Sequence, residues 1–352
     1  MKDPFPIPPI PALSDAVQPW ADYLSLPTLP LHIHEVLIIA VFYEFVRVVI
    51  SPVLSARLFP AQYNVLSGSK KLNWDVHVVS LVQSTTINAL ALWIMFVDEE
   101  RKQMDRQERL WGYSGGAGMI QALATGYFLW DLFITAGNIN IFGLGMLAHA
   151  VSALLVYSFG FRPFVNYYSC IFILWELSSP FLNIHWFCDK LGLTGSRLQL
   201  YNGLVLIGTF FSCRLVWGTY QSSLIYRDIW AGLSATPDIL SADKADLPAR
   251  YAESMQFVTA ATTLPKWLAA IYVGSNLTLN SLNFYWFFKM IEAVRKRFDP
   301  KVESKPRDST KAAKVALDGA AAVTTGTENA GTTRPRRRTI LDGEDPDAPP
   351  PI

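Results

Sequence analysis

The sequence predicts an all-α fold, a polytopic transmembrane bundle of about seven helices, and three observations predict it. Seven predominantly apolar stretches have membrane-spanning length. Hydrocarbon admits only helices or closed barrels as spanning structures, and runs of about 20 apolar residues read as helices. Several runs carry a lone ionisable residue at mid-depth, where a charge costs at least about 2.5 kcal/mol and therefore needs a partner or a function.

Composition agrees with that class. The 352 residues are 51% hydrophobic, and the apolar residues come in blocks, with the charges mainly in loops and a tail. A net charge of +1 provides no electrostatic footprint for nucleic acid, so none is expected as a partner. Cys170 and Cys213 lie inside apolar runs, and the 3 cysteines form neither a disulfide framework nor a metal-ligand spacing. Neither a metal nor a cofactor is expected. The proline-rich segment 1–32 lacks a basic stretch followed by an apolar one, so the first span is expected to act as its own insertion signal. A transmembrane domain over 33–290 and a disordered basic and polar tail over 291–352 complete the expected organisation; the tail is too poor in apolar residues to offset the entropy of ordering.

Spans are expected at 33–50, 76–97, 116–137, 141–159, 165–182, 199–220 and 264–290. The first holds Glu44 and Arg47, three apart on one helical face, where they can neutralise each other. The third enters through Gly115, Gly116 and Gly118, which suit close helix packing, and carries Asp131 with Thr135 one turn on. The fourth, joined to its neighbours by very short connections, contributes His149 and Ser152. A neutral imidazole there is either a satisfied core residue or a proton shuttle. In the fifth, Ser169, Glu176 and Asn183 recur every seven residues as one stripe, and Pro180 should kink the helix beside the glutamate. Arg214 in the sixth is the expected partner for Glu176 or Asp131. The stretch 222–233 is either an amphipathic helix at the interface or a loop. The seventh bears an amide ladder, Asn276, Asn280 and Asn283, with Tyr272 on the same face.

Basic residues set the expected orientation. Lys289, Arg295, Lys296 and Arg297 follow the last span, and Arg57, Lys70 and Lys71 lie around the first loop. An odd number of spans puts both regions on one side, the cytosolic one by the positive-inside rule, against which stand Arg101, Lys102, Arg106 and Arg109 in the second loop.

Trp74 with Val79 and Ser80, the run from Gly126 to Asp131, Ala148-His149-Ala150-Val151-Ser152, Glu176-Leu177-Ser178-Ser179-Pro180-Phe181-Leu182-Asn183 and Arg214 together resemble a TLC domain. That domain is shared by translocating-chain-associating membrane proteins, ceramide synthases and lipid-homeostasis proteins, and the chain is most similar to fungal TLC-domain proteins without assigned chemistry. In the ceramide synthase branch acyl transfer depends on a His-His-x-x-Thr/Ser motif and following acids; here Ala148 stands at the first histidine position. The resemblance implies an integral membrane protein of lipid homeostasis in the endoplasmic reticulum. It would bind or sense a membrane lipid, such as a sphingolipid or an acyl chain, in a polar cavity lined by Asp131, His149, Ser152, Glu176, Arg214, Asn276 and Asn280. The alternatives are an N-acyltransferase using acyl-CoA, with His149 and Asp131 as its catalytic groups, and a protein that guides membrane cargo.

Overall fold

Each of the seven apolar stretches is helical in the computed structural model, which describes residues 1–234, 237, 248–259 and 262–298. The main helices are α1 (Pro11–Leu24), α2 (Leu29–Leu58), α3 (Gly68–Val97), α4 (Gly115–Gly137), α5 (Ile139–Phe159), α6 (Ser179–Lys190), α7 (Arg197–Ser234) and α8 (Lys266–Phe298). No strand occurs among the described residues. Five helical runs are long and apolar enough to cross a membrane. α8 has the length, at 33 residues, but Asn276, Asn280 and Asn283 dilute its apolar character. The expected tail beyond residue 298 lies outside the described residues.

α2 is continuous because a wide π-helical turn over Val46–Ile50 absorbs Pro52, whose missing N–H would otherwise interrupt the ladder. Glu44 and Arg47 pair as their spacing predicts, Arg47 Nε lying 2.8 Å from Glu44 Oε2. Trp130 Nε1 on α4 donates to the same carboxylate at 3.0 Å. α2 packs on α4, α4 on α5, and α3 on both α4 and α6, so the bundle joins consecutive helices (α3 with α4, α4 with α5) and helices apart in sequence (α2 with α4, α3 with α6).

Two expectations need correction. The segment 165–182 is not one helix: Asn166–Tyr168 is a 3-10 turn, Ser169–Phe172 a single α turn, and Ile173–Ser178 is wound as 3-10 before α6 begins at Ser179. Tighter winding destroys the seven-residue period, and the supposed stripe disperses. Ser169 Oγ donates to the Ala117 carbonyl on α4 at 3.0 Å, Glu176 turns to α7, and Asn183 Nδ2 donates to Ser80 Oγ on α3 at 2.9 Å. Nor is 222–233 a separate interfacial helix or a loop. It continues α7 through a π-helical turn at Phe211–Trp217, because Ile225 and Ile229 pack into a core with Leu110, Tyr168 and Leu268.

At one end of the bundle, connections far apart in sequence are bonded to one another. Thr28 N donates to Phe161 O at 3.1 Å, Val165 N to Leu110 O at 2.8 Å, and Tyr113 N to Ser254 O at 2.8 Å. Alternating spans place these segments on a common side, so the contacts agree with the expected threading. The basic residues here are engaged: Arg101 lies 4.2 Å over the Tyr167 ring, Lys102 pairs with Glu99 at 2.6 Å, and Arg109 Nε is 3.5 Å from Asp228. At the other end of α2, Tyr63 donates to Asp75 at 3.0 Å; burial, then the Asp75 charge, push its hydroxyl above the usual phenol range. Residues 288–349 form a second unit, described only to Phe298, in which Lys289 and Lys296 flank Glu292 at 3.5 and 3.3 Å.

Candidate functional site

Arg214 sits on the π-helical turn of α7 and is 1% exposed. A buried guanidinium must have its donors satisfied, and backbone winding supplies the first acceptor. In the 3-10 segment the Ser179 N–H bonds the Glu176 carbonyl rather than that of Trp175. The Trp175 oxygen thereby keeps capacity for Arg214 Nε, which it meets at 2.7 Å. Ser178 Oγ accepts from the same nitrogen at 3.1 Å, and Asn283 Oδ1 of α8 accepts from Nη1 at 2.9 Å.

Glu176 Oε1 is 3.6 Å from Arg214 Nη2, too long for a good hydrogen bond. Ser179 closes the gap, accepting from Nη2 at 3.1 Å and donating to Glu176 Oε2 at 2.8 Å. Pairing through a hydroxyl leaves both charges compensated in a medium where neither is tolerated alone. Gly218, one turn beyond Arg214, makes the approach possible: a Cβ there would fall 2.1 Å from Trp175 Nε1.

Beside the pair lies a cavity of about 50 Å³, with Phe128, His149, Glu176, Arg214, Asn276 and Asn283 among its walls. A water needs about 10–15 Å³ measured in this way, so the space accepts a few waters or a chain end. The remaining walls are mostly apolar, Ala153, Tyr157 and Ile225 among them. His149 is caged by rings, with Phe128 and Trp286 centroids each 5.8 Å away, and its buried Nδ1 has no hydrogen-bond partner among the described residues.

Of the residues expected to line a cavity, His149, Glu176, Arg214 and Asn276 do. Asp131, Ser152 and Asn280 are not in its lining. Asp131 is buried in α4, where Thr135 Oγ1 donates to it at 3.3 Å. Ser152 is buried one turn from His149. Asn280 serves the ladder instead, donating to Ser222 Oγ at 3.0 Å and to Asn276 Oδ1 at 2.9 Å, while Tyr226 donates to Asn276 at 2.6 Å. The catalytic alternative of His149 with Asp131 therefore finds only the histidine at the cavity. Sequence reasoning missed the Trp175 carbonyl, because backbone acceptors leave no residue signature. It also missed His77, whose Nδ1 lies 2.7 Å from Asn183 Oδ1 and whose ring stacks 3.9 Å from Trp186.

Residues 73–292 match the TLC domain. The chain belongs to the TLC-domain family. It is 37% identical over 300 residues to an uncharacterized TLC domain-containing protein of Schizosaccharomyces pombe, covering 85% of this chain and 91% of the relative. Topoisomerase I damage affected protein 4 of Saccharomyces cerevisiae is 28% identical over 280 residues, 78% and 88% of the two chains. TLC domain-containing protein 4-B of Danio rerio is 24% identical over 268 residues, 74% and 88%. The matched region encloses the whole cavity, whereas α2 precedes it. The chain is thus a multi-pass membrane protein of the TLC-domain family, built from several apolar helices.

Proposed function

We propose that this TLC-domain protein acts in lipid homeostasis in the endoplasmic reticulum without catalysing a reaction, and that its cavity receives the polar part of a membrane lipid. One observation carries this reading: a mostly apolar pocket ends in a compensated ion pair and in an imidazole nitrogen, His149 Nδ1, that lacks a partner. An unsatisfied buried acceptor or donor costs about 1–3 kcal/mol, which a hydroxyl or amide from a lipid headgroup would offset. A sphingolipid offers both groups beside an acyl chain. Admission of more than a chain end requires the Phe128 and Trp286 rings to part.

The unpartnered His149 nitrogen also favours a second reading, an N-acyltransferase in which it acts as general base. Ala148 offers no second base, and the Arg214 donors described above are already committed to Trp175, Ser178, Ser179 and Asn283 rather than free for an oxyanion. A guide for membrane cargo would need no occupied cavity.

Lipid mass spectrometry on protein purified in mild detergent separates the three. One lipid class should be enriched in the wild type and fall about fivefold in His149→Ala, the equivalent of one hydrogen bond of about 1 kcal/mol. Ala153→Leu, which fills the pocket, should deplete it further. Equal lipid profiles in all three proteins would remove the lipid reading. Given acyl-CoA and long-chain amines, the wild type should show no turnover above His149→Ala; N-acylation abolished by that substitution would establish the enzyme instead. The C-terminal side faces the cytosol in this proposal, because basic residues cluster in the last turns of α8 and around the first loop. Protease added to sealed microsomes should therefore remove a C-terminal tag, and a tag protected until detergent is added would reverse the orientation.

A further inference from the structure

At the bonded end of the bundle, outside the cavity and outside the matched domain, three side chains converge. His32 and Glu35 occupy one face of the first turns of α2, and Asp3 reaches them from the segment before α1. One ligand atom from each lies within 4.8 Å of the other two. His32 Nδ1 is 2.6 Å from Glu35 Oε1 and 3.4 Å from Asp3 Oδ2. His32 and Glu35 are fully buried, and Asp3 retains 26% of its side-chain exposure.

The outer contacts of His32 and Asp3 turn their inner atoms toward Glu35 and toward each other. His32 Nε2 lies 2.7 Å from the Tyr113 hydroxyl. If Nε2 carries the proton and donates there, the Nδ1 lone pair faces the two carboxylates, which is the tautomer a metal requires. Phe5 N donates to Asp3 Oδ1 at 2.9 Å and leaves Oδ2 directed inward. Glu35 Oε2 is buried with no hydrogen-bond partner among the described residues. Among those residues, no lysine or arginine pairs with Asp3 or Glu35; their one ionic contact is His32.

Backbone geometry holds the constellation in place. A Cβ on Gly118 would fall 2.6 Å from His32 Nε2, and one on Gly115 would fall 2.3 Å from the Asp3 backbone nitrogen. The glycines at the start of α4 therefore admit this cluster along with the close approach of helices, Gly118 against His32 of α2 and Gly116 against Ile94 of α3. His34 Nε2, 2.8 Å from the Ile7 carbonyl, ties the same N-terminal segment to α2.

We propose that Asp3, His32 and Glu35 form a binding site for a divalent transition-metal ion of the zinc class, which fastens the segment before α1 to α2. One imidazole and two carboxylates are a donor set that zinc accepts, with a further position left for water. Ligand atoms about 2.0–2.2 Å from such an ion sit roughly 3.3 Å apart in a tetrahedron, so Glu35 Oε1 would retreat by a fraction of an ångström from its present hydrogen-bonding distance.

The full chain, purified in mild detergent without chelator, should carry close to one equivalent of metal by plasma mass spectrometry. Chelator-stripped protein titrated with Co²⁺ should develop visible absorption that Zn²⁺ abolishes. Asp3→Asn and Glu35→Gln should each lose at least tenfold in Co²⁺ affinity. Asp3 is partly exposed, so that variant tests binding even if Glu35→Gln fails to fold. Monodisperse wild type that takes up neither ion would overturn the proposal and leave a cluster held by a shared proton. Unchanged Co²⁺ affinity in folded Asp3→Asn would overturn it too, since the metal would then lie elsewhere.

Discussion

His32 and His149 are both buried imidazoles on apolar helices, and their surroundings make them opposites. His32 has a polar group at each nitrogen, a carboxylate at Nδ1 and a phenol at Nε2. His149 is enclosed by Phe128 and Trp286, and its Nδ1 meets no partner among the described residues. The first site is tightly packed and rich in carboxylate oxygens, the donors a cation takes; the second borders empty space and an already balanced ion pair, which suits a neutral polar group. The difference teaches that a histidine in a membrane bundle is read from what occupies its second nitrogen, which periodicity does not reveal.

The largest expected effect would break the balanced side of that comparison. Arg214→Leu leaves Glu176 buried without its cation and should lower stability by about 3–5 kcal/mol in detergent melting. Glu176→Gln should also destabilise, and the double variant should lose clearly less than the two single losses added together. Additive losses would mean that the two charges answer to different partners.

A middle-sized effect sharpens the contrast in packing. Gly118→Ala presses a methyl group into His32 and Tyr113, with contacts of 2.6 and 2.9 Å, and should cost about 1–3 kcal/mol. Gly145→Ala, one turn before His149, meets only Leu282 at 3.9 Å and should be neutral or stabilising by up to about 1 kcal/mol. Melting temperatures moving in the same direction for both would remove the distinction between a filled and an open site. The smallest effect belongs to Glu44→Gln, which weakens a partly exposed pair with Arg47; a change of at most about 1 kcal/mol is expected. A larger loss would show that the Trp130 contact carries the stability.

The apolar blocks sufficed to place the helical stretches, five of which are long and apolar enough to cross a membrane, but not the broken winding of 165–182, and the short connection before α5 sufficed for its packing on α4. Isolated charges pointed correctly to Glu176 with Arg214, because hydrocarbon forces such groups to find each other. Asp131, Ser152 and Asn280 do not line the cavity, because a small polar group can be satisfied within its own helix, as Asp131 is by Thr135 and Asn280 by Asn276. The winding of 173–178 escaped notice because Ile, Leu and Trp suit α and 3-10 turns alike, and Pro180 indicates a change of course without its kind. In the Asp3, His32 and Glu35 cluster two members stand three apart on one helical face, but Asp3 is too distant in sequence to complete a ligand spacing.

The tight winding of Ile173–Ser178 makes the Arg214 seat a matter of pitch as well as of side-chain identity. A 3-10 turn advances about 120° per residue and an α turn about 100°, with a rise near 2.0 and 1.5 Å. Rewinding these 6 residues to α geometry would rotate one end against the other by roughly 120° and shorten the segment by about 3 Å. Glu176 would swing away from α7, and the Trp175 carbonyl would return to its own helix. The ion pair and the winding thus hold or fall as one, and unwinding this segment would separate two opposite charges at the wall of the cavity.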